Sequence, residues 1–468
     1  MKSKITNIVL LSLMLSLFSF VTYAEEDREE KLQLRIQELE QRLKSVEEAL
    51  KTKTDNQDSL STTEDQREQN EELRRQIGIL AEEIEKLRSG EKEVEITSDQ
   101  ASSMGLGPSA AKVYQKKKGV SIAGYGEMLY ENFSDRTQSG TEANKTSQLD
   151  FLRAILYTGY RFSDRFVLNS EIEFEHASTG KGGEVSVEFA YLEYMANKHL
   201  NVRGGLLLIP MGLTNEYHEP VAFLGARRSE TESQIIPTTW REGGIGVLGS
   251  ASMFSYRAYL VNGMSATGYG ASGIRGGRQK GAKAKAEDFA LVGRVDVNPS
   301  PGMIFGGSLY IGGAGQGQIM ESGQNYNVRT TIGEVHAQIQ MRGLDIRGLY
   351  ARAKIDDADE LNRFLELEGT ESVGEILQGG YIQLGYNLLS QHTDTLRLTP
   401  YYRFEKINTQ SRVPEGFEQN PAQDRRIHTA GIEFRPITNI AIKGEYQWDR
   451  NKAGTGINQF NVNLGYNF

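Results

Sequence analysis

From Gly119 to Phe468 apolar and polar residues alternate with a period of two. In Phe166–Glu175 one face carries Phe166, Leu168, Ser170, Ile172 and Phe174, and the other Val167, Asn169, Glu171, Glu173 and Glu175. Phe460–Phe468 repeats this, with Phe460, Val462, Leu464, Tyr466 and Phe468 set against Asn461, Asn463, Gly465 and Asn467. A strand so divided needs an apolar surrounding on one side and water on the other. The alternation predicts sixteen strands, at 120–132, 147–162, 165–177, 184–195, 200–209, 242–249, 253–264, 286–298, 302–313, 328–341, 344–354, 375–389, 394–406, 425–436, 439–449 and 457–468. Odd-numbered connections run to roughly 6–32 residues, whereas even-numbered ones hold about 2–4 with turn chemistry such as Ser163-Asp164, Pro299-Ser300-Pro301 and Ile437-Thr438. A soluble sandwich has no reason to make every second connection short. A barrel in an outer membrane does, with tight periplasmic turns and long outer loops. The expected fold is therefore an all-β transmembrane barrel of 16 antiparallel strands, and the even count leaves both barrel ends on the periplasmic side.

Upstream the pattern is different. Residues 1–24 read as a signal peptide, with Lys2 and Lys4, an apolar run from Ile8 to Val21 and the triplet Thr22-Tyr23-Ala24. In residues 25–90, Leu32, Ile36, Leu39, Leu43, Val46 and Leu50 are spaced as the seam of an α-helical coiled coil. Leu73, Ile77, Leu80, Ile84 and Leu87 repeat it out of phase, so a break between the runs is expected. A helix this polar needs a partner to persist, which makes residues 25–90 an oligomeric periplasmic stalk. Residues 91–118, with Gly105, Gly107, Pro108 and Lys116-Lys117-Lys118, read as a linker to the barrel at 119–468.

Composition narrows the chemistry. The chain has 468 residues with 50 Gly, 21 Tyr, 18 Phe and no Cys, which removes disulfides, thiolate metal sites and cysteine nucleophiles. Of the net charge of −9, residues 25–90 hold −7 and the barrel −5, offset by +2 and +1 in the leader and linker. That balance argues against a nucleic-acid partner. Gly244–Gly249 matches the dinucleotide pattern GxGxxG, but another alternating strand follows where a helix should open, so glycine relieving crowding in a curved wall is expected instead. Arg275-Gly276-Gly277 is a solitary match to RNA-binding tracts. There is no GxSxG, HExxH or P-loop, and the six His show no metal spacing. No catalytic residue, metal site or cofactor is expected, and the chain does not read as an enzyme.

Three segments carry a resemblance. Gly119-Val-Ser-Ile-Ala-Gly-Tyr-Gly-Glu127, Pro210-Met-Gly-Leu-Thr-Asn-Glu216 and Ile235-Ile-Pro-Thr-Thr-Trp-Arg-Glu-Gly243, with the terminal Phe468, resemble the phosphate-selective porin O and P family, over about residues 105–468. The resemblance implies a sixteen-stranded homotrimeric porin of the Gram-negative outer membrane. It also implies that Phe468 is an assembly signal for the barrel-assembly machinery.

Parity assigns the candidate pore residues. Glu171, Glu173, Glu175 and Glu188 face the lumen from the third and fourth strands. Arg153, Arg203, Arg257, Arg294, Arg347, Arg397, Arg403 and Lys443 face it elsewhere, Arg347 from the strand opposite the third. Opposed acidic and basic walls would set up a transverse field. The longest connection, 210–241, is the third outer loop and is the candidate constriction, with Glu216, His218, Glu219, Arg227, Arg228, Glu230 and Arg241. In the fourth outer loop Arg275, Arg278, Lys280, Lys283 and Lys285 could collect anions or bind lipopolysaccharide phosphates. The expected function is a passive, anion-preferring channel for small hydrophilic solutes, with phosphate the anion the resemblance suggests. The alternatives are a general pore for dicarboxylates or sugars, and a structural tether whose coiled coil anchors periplasmic envelope components.

Overall fold

The computed structural model describes residues 105–468 apart from 322 and 393–395, and upstream only 37–39, 41–45, 48, 75, 77 and 78. The leader at 1–24 and most of the heptad runs lie outside the described residues; every described position between 37 and 78 is helical. The chain divides into two units, Met1–Glu95 and Ile96–Phe468.

Sixteen strands close into one antiparallel barrel. They are β1 (Gly119–Thr137), β2 (Gln148–Arg161), β3 (Phe166–Glu175), β4 (Val185–Asn197), β5 (Leu200–Leu208), β6 (Arg241–Ala251), β7 (Phe254–Asn262) and β8 (Phe289–Val297). The second half comprises β9 (Met303–Gly312), β10 (Thr330–Met341), β11 (Leu344–Ile355), β12 (Ile376–Tyr386), β13 (Arg397–Arg412), β14 (Asp424–Ile437), β15 (Ile440–Asn451) and β16 (Ile457–Asn467). Each pairs with its chain neighbours, and β16 returns to β1 with Tyr125 opposite Asn467 and Leu129 opposite Asn463. Strand number and order agree with the alternation. The lengths differ where pairing outlasts the apolar pattern, as in β1 and β13, whose long-loop ends extend to Thr137 and Arg412. The β12–β13 connection is longer than a tight turn, at 387–396.

Side chains divide as the period demands. Outward positions such as Val120, Ile122, Leu192, Leu291, Val335, Ile382 and Leu464 are exposed. Phe162, Phe166, Phe254, Tyr386, Tyr466 and Phe468 form an aromatic rim near the short-turn end. An apolar outer band edged by aromatic rings is the surface a bilayer requires of a barrel. Inward positions mix charged and polar side chains such as Glu171, Arg257 and Asn463 with buried rings and aliphatics such as Tyr157, Phe189 and Leu349.

Closure explains the opening motif. Gly124 and Phe468 exchange backbone hydrogen bonds of 3.1 and 2.9 Å. A Cβ on Gly124 would lie 2.7 Å from the Phe468 ring, and one on Gly126 would lie 2.5 Å from the Tyr466 hydroxyl. The two glycines are a ledge on which the C-terminal aromatics lie, as rings cover glycine elsewhere in sheets. Gly244–Gly249 lies within β6, where a Cβ on Gly246 would strike the Tyr259 ring.

Candidate functional site: the barrel interior

All eight basic wall residues lie on inward-facing positions of the barrel. Seven are engaged. Arg153 pairs with Glu127 (2.8 Å) and Glu173, Arg203 with Glu193 (2.7 Å), and Arg257 with Glu216 (2.7 Å) and Asp296 (2.6 Å). Arg294 pairs with Asp296 (2.8 Å) and Arg347 with Asp345 (2.9 Å). Arg403 donates to the Arg227 carbonyl at 3.2 Å, and Lys443 donates to three loop carbonyls. Arg397 sits exposed at the short-turn mouth.

Apart from Glu173 and Glu216, the carboxylates that neutralise this wall were not among the sequence candidates. Glu127, Glu131, Glu193, Asp296, Glu334, Asp345, Glu405, Glu433, Glu445 and Asp449 all share the inward register. Many stand two residues from a base on the same strand, in Arg294-Val-Asp296, Asp345-Ile-Arg347, Glu433-Phe-Arg435 and Lys443-Gly-Glu445. Residues i and i+2 share a face of a strand, so the signal was present as an acid–base alternation of period two. The expectation of a basic wall opposite an acidic one is therefore corrected: Arg347 is balanced on its own strand.

The acidic group on β3 and β4 is placed as parity assigns it. Glu171, Glu173 and Glu188 are buried, while Glu175 is half-buried near the rim. A bulge opposite Glu171 and Ile172 lets Glu188 and Phe189 both turn inward, which simple alternation does not allow.

Connection 209–240 crosses the barrel interior instead of covering its mouth. Lys443 on β15 gathers the carbonyls of Pro220, Phe223 and Gly225 at 2.5, 2.7 and 3.0 Å. Glu445 accepts the Ala226 amide at 2.8 Å, and Arg347 on β11 donates to the Ala222 carbonyl at 2.9 Å. Helix α1 (Glu230–Gln234) begins at Ser229, whose hydroxyl accepts from the Glu232 amide. Glu405 on β13 receives the Glu230 and Thr231 amides at 3.1 and 2.6 Å. A carboxylate there meets both free donors and the positive end of the turn. On the other side His218 lies 3.1 Å from Glu171, Arg227 pairs with Glu131 and Arg241 pairs with Glu188 at 2.5 Å. Glu219 accepts from Asn467 at 3.0 Å, while Glu230 pairs with Arg425.

A second long connection, 263–288, lies against the first. Ile274 donates its amide to the Gln234 carbonyl, and Thr409 on β13 donates to the Ala271 carbonyl. The five cations predicted as one patch are thereby split. Arg275 donates to the carbonyls of Ser233 and Thr238, and Arg278 to those of Pro237 and Thr239. Lys280 pairs with Glu184, Lys285 bonds Gln318, and Lys283 is exposed. Arg228 donates to the His218 carbonyl. Among the described residues Arg228, Arg275 and Arg278 have no carboxylate partner, and all three are half-buried. Burial, reinforced by the neighbouring Arg278 cation, pushes Arg275 down to about 9. A guanidinium keeps its proton at neutral pH, so this stress is relieved by an approaching anion and not by deprotonation.

The short-turn half of the interior contains two features. One is a cavity of about 720 Å3, roofed by Leu213, Glu216, Tyr217 and Leu224 and walled by Arg347, Arg397 and Arg435. The other is the chain itself. Residues 105–115, expected as linker, run inside the barrel and end in a 3₁₀ turn at Ala110–Gln115 that packs on β1, β2 and β3.

No family model matches the chain. An uncharacterized protein of Aquifex aeolicus (strain VF5) is 39% identical over 355 residues, which cover 73% of this chain and 78% of that protein. The chain belongs to that protein's family. Among solved structures, Salmonella typhi OmpF in complex with daunomycin aligns over 75% of this chain and 98% of that one, at 12% identity and a TM-score of 0.49. The outer membrane channel DcaP of Acinetobacter baumannii aligns over 78% of this chain and 100% of that one, at 12% identity and a TM-score of 0.46. The assignment of the barrel rests on its own strand pairing.

Proposed function

We propose that the chain is an outer-membrane porin, a passive channel for small hydrophilic solutes with a preference for anions. The apolar outer band and polar interior support membrane insertion with a water-filled path. The observation that carries the anion preference is the trio Arg228, Arg275 and Arg278. These cations come from two inward-folded loops and lack a carboxylate partner among the described residues. The buried carboxylates Glu171, Glu173 and Glu188 are already engaged by His218, Arg153 and Arg241, so the three loop arginines are the charges left for a passing anion. Phosphate is the anion the family resemblance adds. The interleaved carboxylates favour a second reading, a weakly selective pore for polar organic solutes.

Reversal potentials in a salt gradient test the choice. The wild type should favour chloride over potassium, and replacing Arg228, Arg275 and Arg278 together by Ala should move the potential towards zero. A wild type that favours potassium, or a triple variant with an unchanged potential, would remove the anion reading. We propose further that the chain assembles as a homotrimer through helices within residues 25–90, with the stalk in the periplasm.

A further inference from the structure

We propose that residues 105–115 are a latch: an internal segment that fills the β1–β4 side of the short-turn half and holds the constriction loop in its narrow position. This rests on the porin reading above. The segment is sorted for the interior, with Leu106, Ala110, Ala111, Val113 and Tyr114 all buried. The wall is shaped to receive it: Gly159 on β2 stands where a Cβ would come 2.5 Å from Val113, so a larger residue would push the segment out. Asn169 on β3 donates to the Ala110 carbonyl at 2.9 Å. The Tyr114 hydroxyl donates to Glu193 at 2.8 Å and lies 3.0 Å from the Tyr191 hydroxyl, while Arg161 donates to the Tyr114 carbonyl.

The same segment grips the loop. Glu219 receives the amides of Ser109 and Ala110 at 2.8 and 3.4 Å, and its other oxygen receives Asn467. Gly105 and Gly107 lie so close to Glu216 and Glu219 that a Cβ on either would overlap a carboxylate. Lys443 fixes the following loop residues from the far wall, and Arg257 and Glu171 hold Glu216 and His218, so Glu219, which takes both segment amides, is the loop residue whose position depends on the segment. Beneath the segment lies a run of rings, Tyr125, Tyr157, Phe189 and Tyr191, with successive centroids 6.0, 6.0 and 5.5 Å apart. Burial of these faces holds the latch shut at rest. A solute competing for the rings would withdraw the latch and free Glu219.

Single-channel conductance of the full folded chain tests this, with folding checked by heat-modifiable gel mobility. Replacing Val113 and Tyr114 together by Ser should raise conductance about twofold or more by widening the path. Because the chain has no cysteine, Ala111→Cys reports the latch directly: at resting conductance it should resist a membrane-impermeant maleimide in the wild-type background and react in the double variant. Equal conductance in the two folded chains would overturn the latch and leave the pore standing. No conductance in either would overturn both. Should the double variant not fold, the Ala111→Cys chain alone decides. Full protection of the Ala111→Cys thiol while the channel conducts at its maximal level overturns the latch, and reaction that rises with open-state occupancy supports it.

Discussion

Asp296 shows how single residues hold this interior together. Its two oxygens serve Arg257, Arg294 and His336 at 2.6–2.8 Å, all buried. Removing the carboxylate charge would leave two guanidinium groups short of a partner in a site from which water is largely excluded. Such losses destabilise by about 3–5 kcal/mol, so Asp296→Asn should lower the urea midpoint of the folded barrel far more than an exposed change such as Lys283→Ala. Gly124 makes a second case, since its missing side chain is the seat of the Phe468 ring. Gly124→Leu should reduce the fraction of chains reaching the folded, heat-modifiable form, with overpacking of about 1–3 kcal/mol concentrated at the closing seam. Gly293→Leu, which faces outward into open space, should fold as the wild type does.

At the level of elements, the long loop 209–240 is held by wall residues that lie as far as 248 positions from it in sequence. Lys443 is the principal anchor, with three carbonyls within 3.0 Å and the Phe223 ring beneath it. Lys443→Met should keep the barrel closed while unfastening the loop near Pro220–Gly225. The expected reading is a noisier open channel in bilayer recordings, with unchanged strand content by circular dichroism. The strands were legible in the sequence because alternation is local: Phe166–Glu175 declares both of its faces within ten residues. The length of 209–240 marked it as functional, but its path was not legible, because the anchors at Arg347, Glu405 and Lys443 are known only once strands distant in sequence are brought together. Arg275 and Arg278 were misplaced for the same reason, since the carbonyls that draw them inward belong to another loop. The bulge at Glu188 broke the parity rule locally, and only the register across β3 and β4 shows it.

For the whole molecule, charge is distributed so that stalk and pore can be separated experimentally. Residues 25–90 carry −7 and residues 119–468 carry −5, yet selectivity is set by fields within about one Debye length of the solute, some 8 Å at physiological salt. In the proposed selectivity the field at Arg228, Arg275 and Arg278 arises from barrel residues, and the charge of residues 25–90 plays no part in it. In the proposed trimer the heptads would supply association, which a polar helix obtains only by burying its seam against a partner. Deleting residues 25–90 should therefore leave the reversal potential in a salt gradient unchanged while shifting the folded protein from trimer towards monomer in detergent, measured by light scattering. If trimers persist and the envelope detaches, the stalk is a tether. If the reversal potential moves by more than the wild-type scatter, the stalk's charge acts on the pore, and the loop arginines do not set selectivity alone.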